Sequence, residues 1–216
     1  MPTLIQEDVC TFDQLSDSAK ETARDWMRNC EIEDFGQDTE SLYYSALAAA
    51  KILGIDFDDK GKRSEPDIRW SGFSSQGDGA SFVGSYSHSP NSPARIRSEF
   101  PTDTALHAIA DGLMTLQIGY RLATGHFFHA DIRQFENYCH ERTMSLADVT
   151  DDQTGEGVEG DWQEVETRLI DLMRDFARWI YRGLEAEYDY RLSDENIDER
   201  IGDGEYQFDA ETGKVV

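Results

Sequence analysis

From Asp161 to about Leu192, apolar residues recur every three or four positions: Val165, Leu169, Leu172, Phe176, Trp179, Ile180, Leu184 and Tyr188, with charges between them. Only a helix puts that period on one face, so the run predicts an amphipathic α-helix. Some thirty residues at about 1.5 Å rise span roughly 45 Å, longer than a small domain is wide. Such a helix must cross its whole fold or reach a second subunit. The second possibility makes a homodimer, with Phe176, Trp179, Ile180 and Tyr188 at the contact.

Ahead of it the periods are mixed. Ala19, Ala23, Trp26, Met27 and Cys30 follow a capping Ser16 or Asp17 at helical spacing, and Leu42, Ala46, Ala49, Ala50 and Leu53 mark a second helix from about Thr39, closed by Gly54. Ile55 and Phe57 alternate with Asp56 and Asp58, as in a half-buried strand. Asp67 to Tyr86 reads as a β-hairpin, with the tip Gln76 to Gly79 in a turn and Trp70, Phe73 and Phe82 supplying aromatic surface. A strand over Ala94 to Glu99 is expected next, then a helix opening at Pro101-Thr102-Asp103 and running to about Leu116. Tyr120 to Val149 suggests a two-stranded ribbon, RLATGHFF and NYCHERTMSL, with a helix over Asp131 to Glu141 as the alternative. Ser193 caps a further short helix, and EYQF with GKVV forms a terminal hairpin. The fold class expected is α+β: a single domain over 1–216 with N-terminal helices, a small and mainly antiparallel sheet, and the long C-terminal amphipathic helix.

Charge narrows the function. The formal net charge is −24. It divides as −9 over residues 1–60, −1 over 61–145 and −14 over 146–216. Such a surface repels nucleic acid and anionic membrane and favours a basic partner. The three cysteines, Cys10, Cys30 and Cys139, show no CxxC spacing. That argues against a disulfide framework and places the protein in a reducing compartment, the cytoplasm, since neither a leader nor a membrane span is read.

Partner contact is expected at the unpaired carboxylates Glu31, Glu33, Asp34, Asp38 and Glu40, at Asp148, Asp151, Asp152, Glu156 and Glu159, and at the polar hairpin tip, Gln76 and Asp78. Carboxylates one helical turn apart stand about 5 to 6 Å from each other, close to the phosphate spacing of a nucleic-acid strand, and can occupy a basic groove. The plainer reading is a solvated acidic surface that confers solubility or tolerance of salt. Asp56, Asp58 and Gly61 begin like a calcium loop, but Lys60, Arg63 and Asp67 break the pattern. His126, His129, Asp131, Cys139 and His140 supply donor atoms without a diagnostic metal spacing, and neither a GxSxG elbow nor a phosphate loop occurs. No cofactor and no catalytic residue is expected, and binding is favoured over catalysis.

The block IRWSGFSSQGDGASFVGSY resembles the central signature of a family of phage and prophage proteins labelled "antitoxin of toxin-antitoxin stability system". ARDWMRNCEIEDF, AAAKILGIDFD, PTDTALHAIADGL and DFARWIYRGLEAEYDYRLSDENIDE resemble further family segments in the same order, and Gly119 to Gly160 is least alike. The resemblance implies a mobile-element context and carries over no functional residue. Three functions follow as expectations: an acidic phage-type inhibitor (anti-CRISPR or anti-restriction) that blocks a host nucleic-acid-binding protein, in part by DNA mimicry; an antitoxin-like protein that caps a toxin; or a metal-dependent hydrolase using the histidine-rich middle.

Overall fold

The computed structural model describes residues 9–37, 39–59, 65–135, 138–158 and 163–216, without the side chains of 39–41. It is mixed helix and antiparallel sheet, of the α+β class, and its chain divides into two compact units, 1–42 with 185–216 and 43–184.

In the first unit, β1 (Val9–Cys10) pairs antiparallel with β8 (Phe208–Asp209), and α1 (Asp17–Asp34) packs on α6 (Asp194–Asp203). Ser16 caps α1 by accepting from the Ala19 amide at 3.3 Å, and Ser193 caps α6 by accepting from the Asn196 amide at 3.4 Å. Phe12, Leu15, Ala19, Ala23, Met27, Ile197, Ile201 and Phe208 form one buried cluster. Arg24 ties the two helices with a bidentate pair to Asp198, both bonds 2.7 Å. Phe208 bridges to Val215, so the expected terminal hairpin is present.

The second unit is built on a four-stranded antiparallel sheet in the order β2 (Ile55–Phe57), β5 (Gly84–Tyr86), β6 (Phe128–Gln134), β7 (Met144–Asp151). The helix α2 (Thr39–Leu53) leads into β2 through Gly54, whose φ of +86° suits glycine and no other residue so well. The hairpin β3 (Ile68–Ser71) and β4 (Gly79–Phe82) stands where expected. Its tip is a turn, held by the Asp78 carboxylate accepting from the Ser74 and Ser75 amides at 3.0 and 2.6 Å. Val83 then breaks the strand: its amide donates to Asp67 and its carbonyl accepts from Asp58, so the chain leaves the hairpin and enters the sheet as β5.

Two expectations fail. Residues 94–99 are not a strand but part of the helix α3 (Ser92–Glu99). Pro93 in the first turn presets the helical φ, and within 94–99 only Ile96 is buried, which leaves no alternating apolar face for a strand. The ribbon of the middle region exists, but its strands start later than read. The helix α4 (Thr104–Thr124) runs through RLAT to Gly125, whose φ of +91° closes it, and β6 opens only at Phe128; NYCHER holds a short 3-10 turn, Glu141–Thr143, ahead of β7. No helix covers Asp131 to Glu141 among the described residues.

The expected long helix is α5 (Gln163–Leu192), thirty residues, of which those through Leu184 belong to the second unit. Its apolar stripe faces the core. Phe176 is wholly buried, with Phe57 stacked at 6.4 Å, Phe82 edge-on at 5.9 Å and Trp179 stacked at 5.7 Å between centroids. The sheet and hairpin therefore reach Phe176, which is buried within the unit and so is not available for the subunit contact expected of it. On the charged face Arg174 reaches Asp171 at 3.4 Å. Among the described residues no helix is long and apolar enough to cross a membrane.

Candidate functional site

Alternation along the four strands separates two faces of the sheet. Ile55, Gly84, Tyr86, Phe128, Ala130 and Ile132 are buried on one. The other carries Asp56, Ser85, His129, Asp131, Asp148 and Thr150, none of them buried. The register joins four of these into a single row across the sheet: Asp56 opposite Ser85, Ser85 opposite Asp131, Asp131 opposite Asp148. Residues directly opposite in an antiparallel pair have Cα atoms about 4.5 to 5.5 Å apart, so Asp131 and Asp148 hold like charges at close range. A β-bulge follows at once, because the next pair is Ile132 with Leu146. His129 lies two residues from Asp131 on the same face, its Nε2 3.3 Å from the carboxylate. Among the described residues, no Lys or Arg forms an ion pair with Asp56, Asp131 or Asp148.

The row continues into the turn after β7, where Asp152 and Glu156 are exposed. Asp152 accepts from the Phe127 amide at 3.2 Å through one carboxylate oxygen. Asp151 behaves differently. It is 8% exposed and accepts from the Gln153 and Thr154 amides at 3.0 Å, from the Tyr120 hydroxyl at 2.9 Å and from His126 Nδ1 at 3.0 Å. Burial by itself would raise its pKa, but the amides of Thr154 and Gln153, then Tyr120 and His126, hold the carboxyl well below the usual range. Burial and the neighbouring carboxylate push Tyr120 up to about 12. Asp151 is thus a strut that anchors the turn to α4, and the partner contact expected of it is corrected: its acceptor sites are used within the chain.

Because its folded pKa is depressed, the stability Asp151 contributes is fully present above the unfolded value of about 4 and is lost as pH falls through the folded one. Asp151→Asn should lower the melting temperature at pH 7, and the gap from the parent protein should shrink steadily as melts are recorded from pH 4 down to pH 2.

The other expected contacts divide. Glu31 is 3% exposed and paired with Arg200 at 2.7 Å, a structural role in the first unit that removes it from any acidic surface. Glu33 and Asp34 are exposed on α1 of the same unit. Gln76 is exposed at the hairpin tip, while Asp78 is half-buried and spends one oxygen on the turn. Asp38, Glu159 and the side chain of Glu40 lie outside the described residues, as does 60–64, the middle of the broken calcium-like loop. Among the histidines, His126 turns to Asp151, His129 to Asp131 and His140 to Glu141 at 2.9 Å. No group of three or more metal-binding side chains converges among the described residues. Asp56 and Asp131 are members of this row that sequence reading did not single out for contact. The signal for Asp56 was its alternation with Ile55 and Phe57; the pairing of Asp131 with Asp148 has no local signature.

Fold and face together define an α+β protein with an acidic sheet face, none of whose named residues is buried. The chain belongs to the family described as Domain of unknown function (DUF8835), which matches residues 39–194. The acidic row and its turn lie inside the matched segment, and Glu31, Glu33 and Asp34 lie outside it. No curated protein and no solved structure matches the chain.

Proposed function

We propose that this chain is a binding protein of the anti-defence type: it docks the carboxylates of Asp56, Asp131 and Asp148, with Asp152 and Glu156 beside them, into the basic groove of a host nucleic-acid-binding protein. One observation carries the reading. Opposed like charges destabilise a strand pair by a few tenths of a kcal/mol or more, and Asp131 faces Asp148 with no Lys or Arg paired to either among the described residues. A partner's arginines and lysines would relieve that repulsion and be aligned by the row. The resemblance of IRWSGFSSQGDGASF to phage and prophage proteins supports a defence complex, of the CRISPR or restriction kind, as the target.

The test is a triple variant, Asp56→Asn, Asp131→Asn, Asp148→Asn, against a nuclease or CRISPR complex recovered from host lysate. Association should slow about tenfold and lose much of its salt dependence. Duplex DNA should compete with the parent protein, and the variant should melt no lower than the parent, since a repulsive pair has been removed. Unchanged affinity and salt dependence would sink the proposal, and recovery of a small toxin alone would favour an antitoxin-like role.

A further inference from the structure

The strand β2 is an edge of the sheet, and one of its sides is open. Gly54 accepts from the Ser87 amide at 2.9 Å and the Asp58 amide donates to Val83 at 3.0 Å. With Asp56 opposite Ser85, these set the hydrogen-bonded pairs of the β2–β5 ladder at 54, 56 and 58. The intervening residues, Ile55 and Phe57, therefore turn their N–H and C=O groups away from β5. Among the described residues nothing bonds them from that side. Along this edge runs a groove of about 630 Å³ whose apolar wall is Leu47 and Ala50 of α2 and whose floor is Ile55 and Phe57. Among the described residues its charged rim holds Asp56 and Asp59 with Lys51.

Two main-chain donors and two acceptors in alternation, beside a groove with an apolar wall, match an extended polypeptide and not a helix or a small molecule. The sign of the rim sets its side chains. A residue added opposite Asp56 would occupy a non-hydrogen-bonded pair, where side chains approach most closely, and would project onto the same face as the acidic row. We infer that the free edge of β2 binds an extended, cationic segment of the partner protein by strand addition. The added strand carries Lys or Arg over Asp56 and an apolar residue toward Leu47 and Ala50. This deepens the acidic-face reading and rests on it for the charge of the partner.

The probe is a short synthetic peptide of alternating lysine and valine, added to the full chain while amide exchange is followed residue by residue. Exchange at the Ile55 and Phe57 amides should slow by about tenfold or more. N-methylation of the peptide amides on the edge that meets β2 should weaken binding about tenfold, whereas methylation of the opposite edge should leave it unchanged. Asp56→Lys should abolish binding of the unmodified peptide. Three results would overturn strand addition: no binding, binding without protection of Ile55 and Phe57, or equal tolerance of methylation on both edges. None of these touches the wider reading, which stands or falls on whether neutralising Asp131 and Asp148 slows association with the partner protein.

Discussion

Replacing Phe176 by alanine is expected to remove about 3 to 5 kcal/mol of stability. The ring has no exposed surface and touches three other aromatics, Phe57 on β2, Phe82 on β4 and Trp179 one turn along α5. Those contacts join the sheet, the hairpin and the long helix, so the cavity opens where three elements meet and none can collapse into it without losing its other contacts. Leu at this position should recover part of the loss, because it refills some of the volume without the ring stacking. Urea unfolding monitored by tryptophan fluorescence measures both variants. A loss below about 1 kcal/mol for the alanine variant would mean that the helix is not seated on the sheet in this way.

The parts of this fold that were legible in the sequence are those written in local period. Ile55 and Phe57 against Asp56 announced a half-buried strand, Ser16 and Ser193 announced helix starts, and the three-to-four spacing of α5 survived intact. Where the period was weak, composition misled. Ala94 to Glu99 holds one buried residue, Ile96, and the decisive signal was Pro93 in the first turn of a helix. Leu122 looked like strand interior yet is 83% exposed on the last turn of α4.

The candidate face was legible only in part, because which carboxylates remain free is settled by residues far away in the chain. Arg200 takes Glu31 from a distance of 169 positions, and Tyr120 and His126 take Asp151. Asp131 meets Asp148 only once β6 and β7 adopt one register among several that their sequences allow. Charge counted along a sequence overstates an acidic surface, since it includes the carboxylates that the fold consumes.

The second large effect expected is at Gly84, where Gly84→Ala should cost about 2 kcal/mol or more and disturb the acidic row at the same time. A methyl group there would fall inside contact distance of the Asp56 carbonyl oxygen and 2.9 Å from Phe57 Cα. Both are main-chain atoms of the neighbouring strand, so no side chain can rotate to make room. The close, non-hydrogen-bonded pairing of Phe57 with Gly84 depends on the absence of that methyl, and relief requires β2 to move away from β5. Such a shift withdraws Asp56 from Ser85 while leaving Asp131 opposite Asp148, because β6 and β7 pair without help from β2. The variant should therefore lose exchange protection at the Asp56 and Asp58 amides but retain it across the β6–β7 ladder. Its binding to a basic partner should drop by the share that Asp56 and the β2 edge supply, with the contribution of Asp131 and Asp148 intact. Uniform loss of protection over all four strands would show instead that the sheet forms as one cooperative unit, and that Gly84 guards the whole of it.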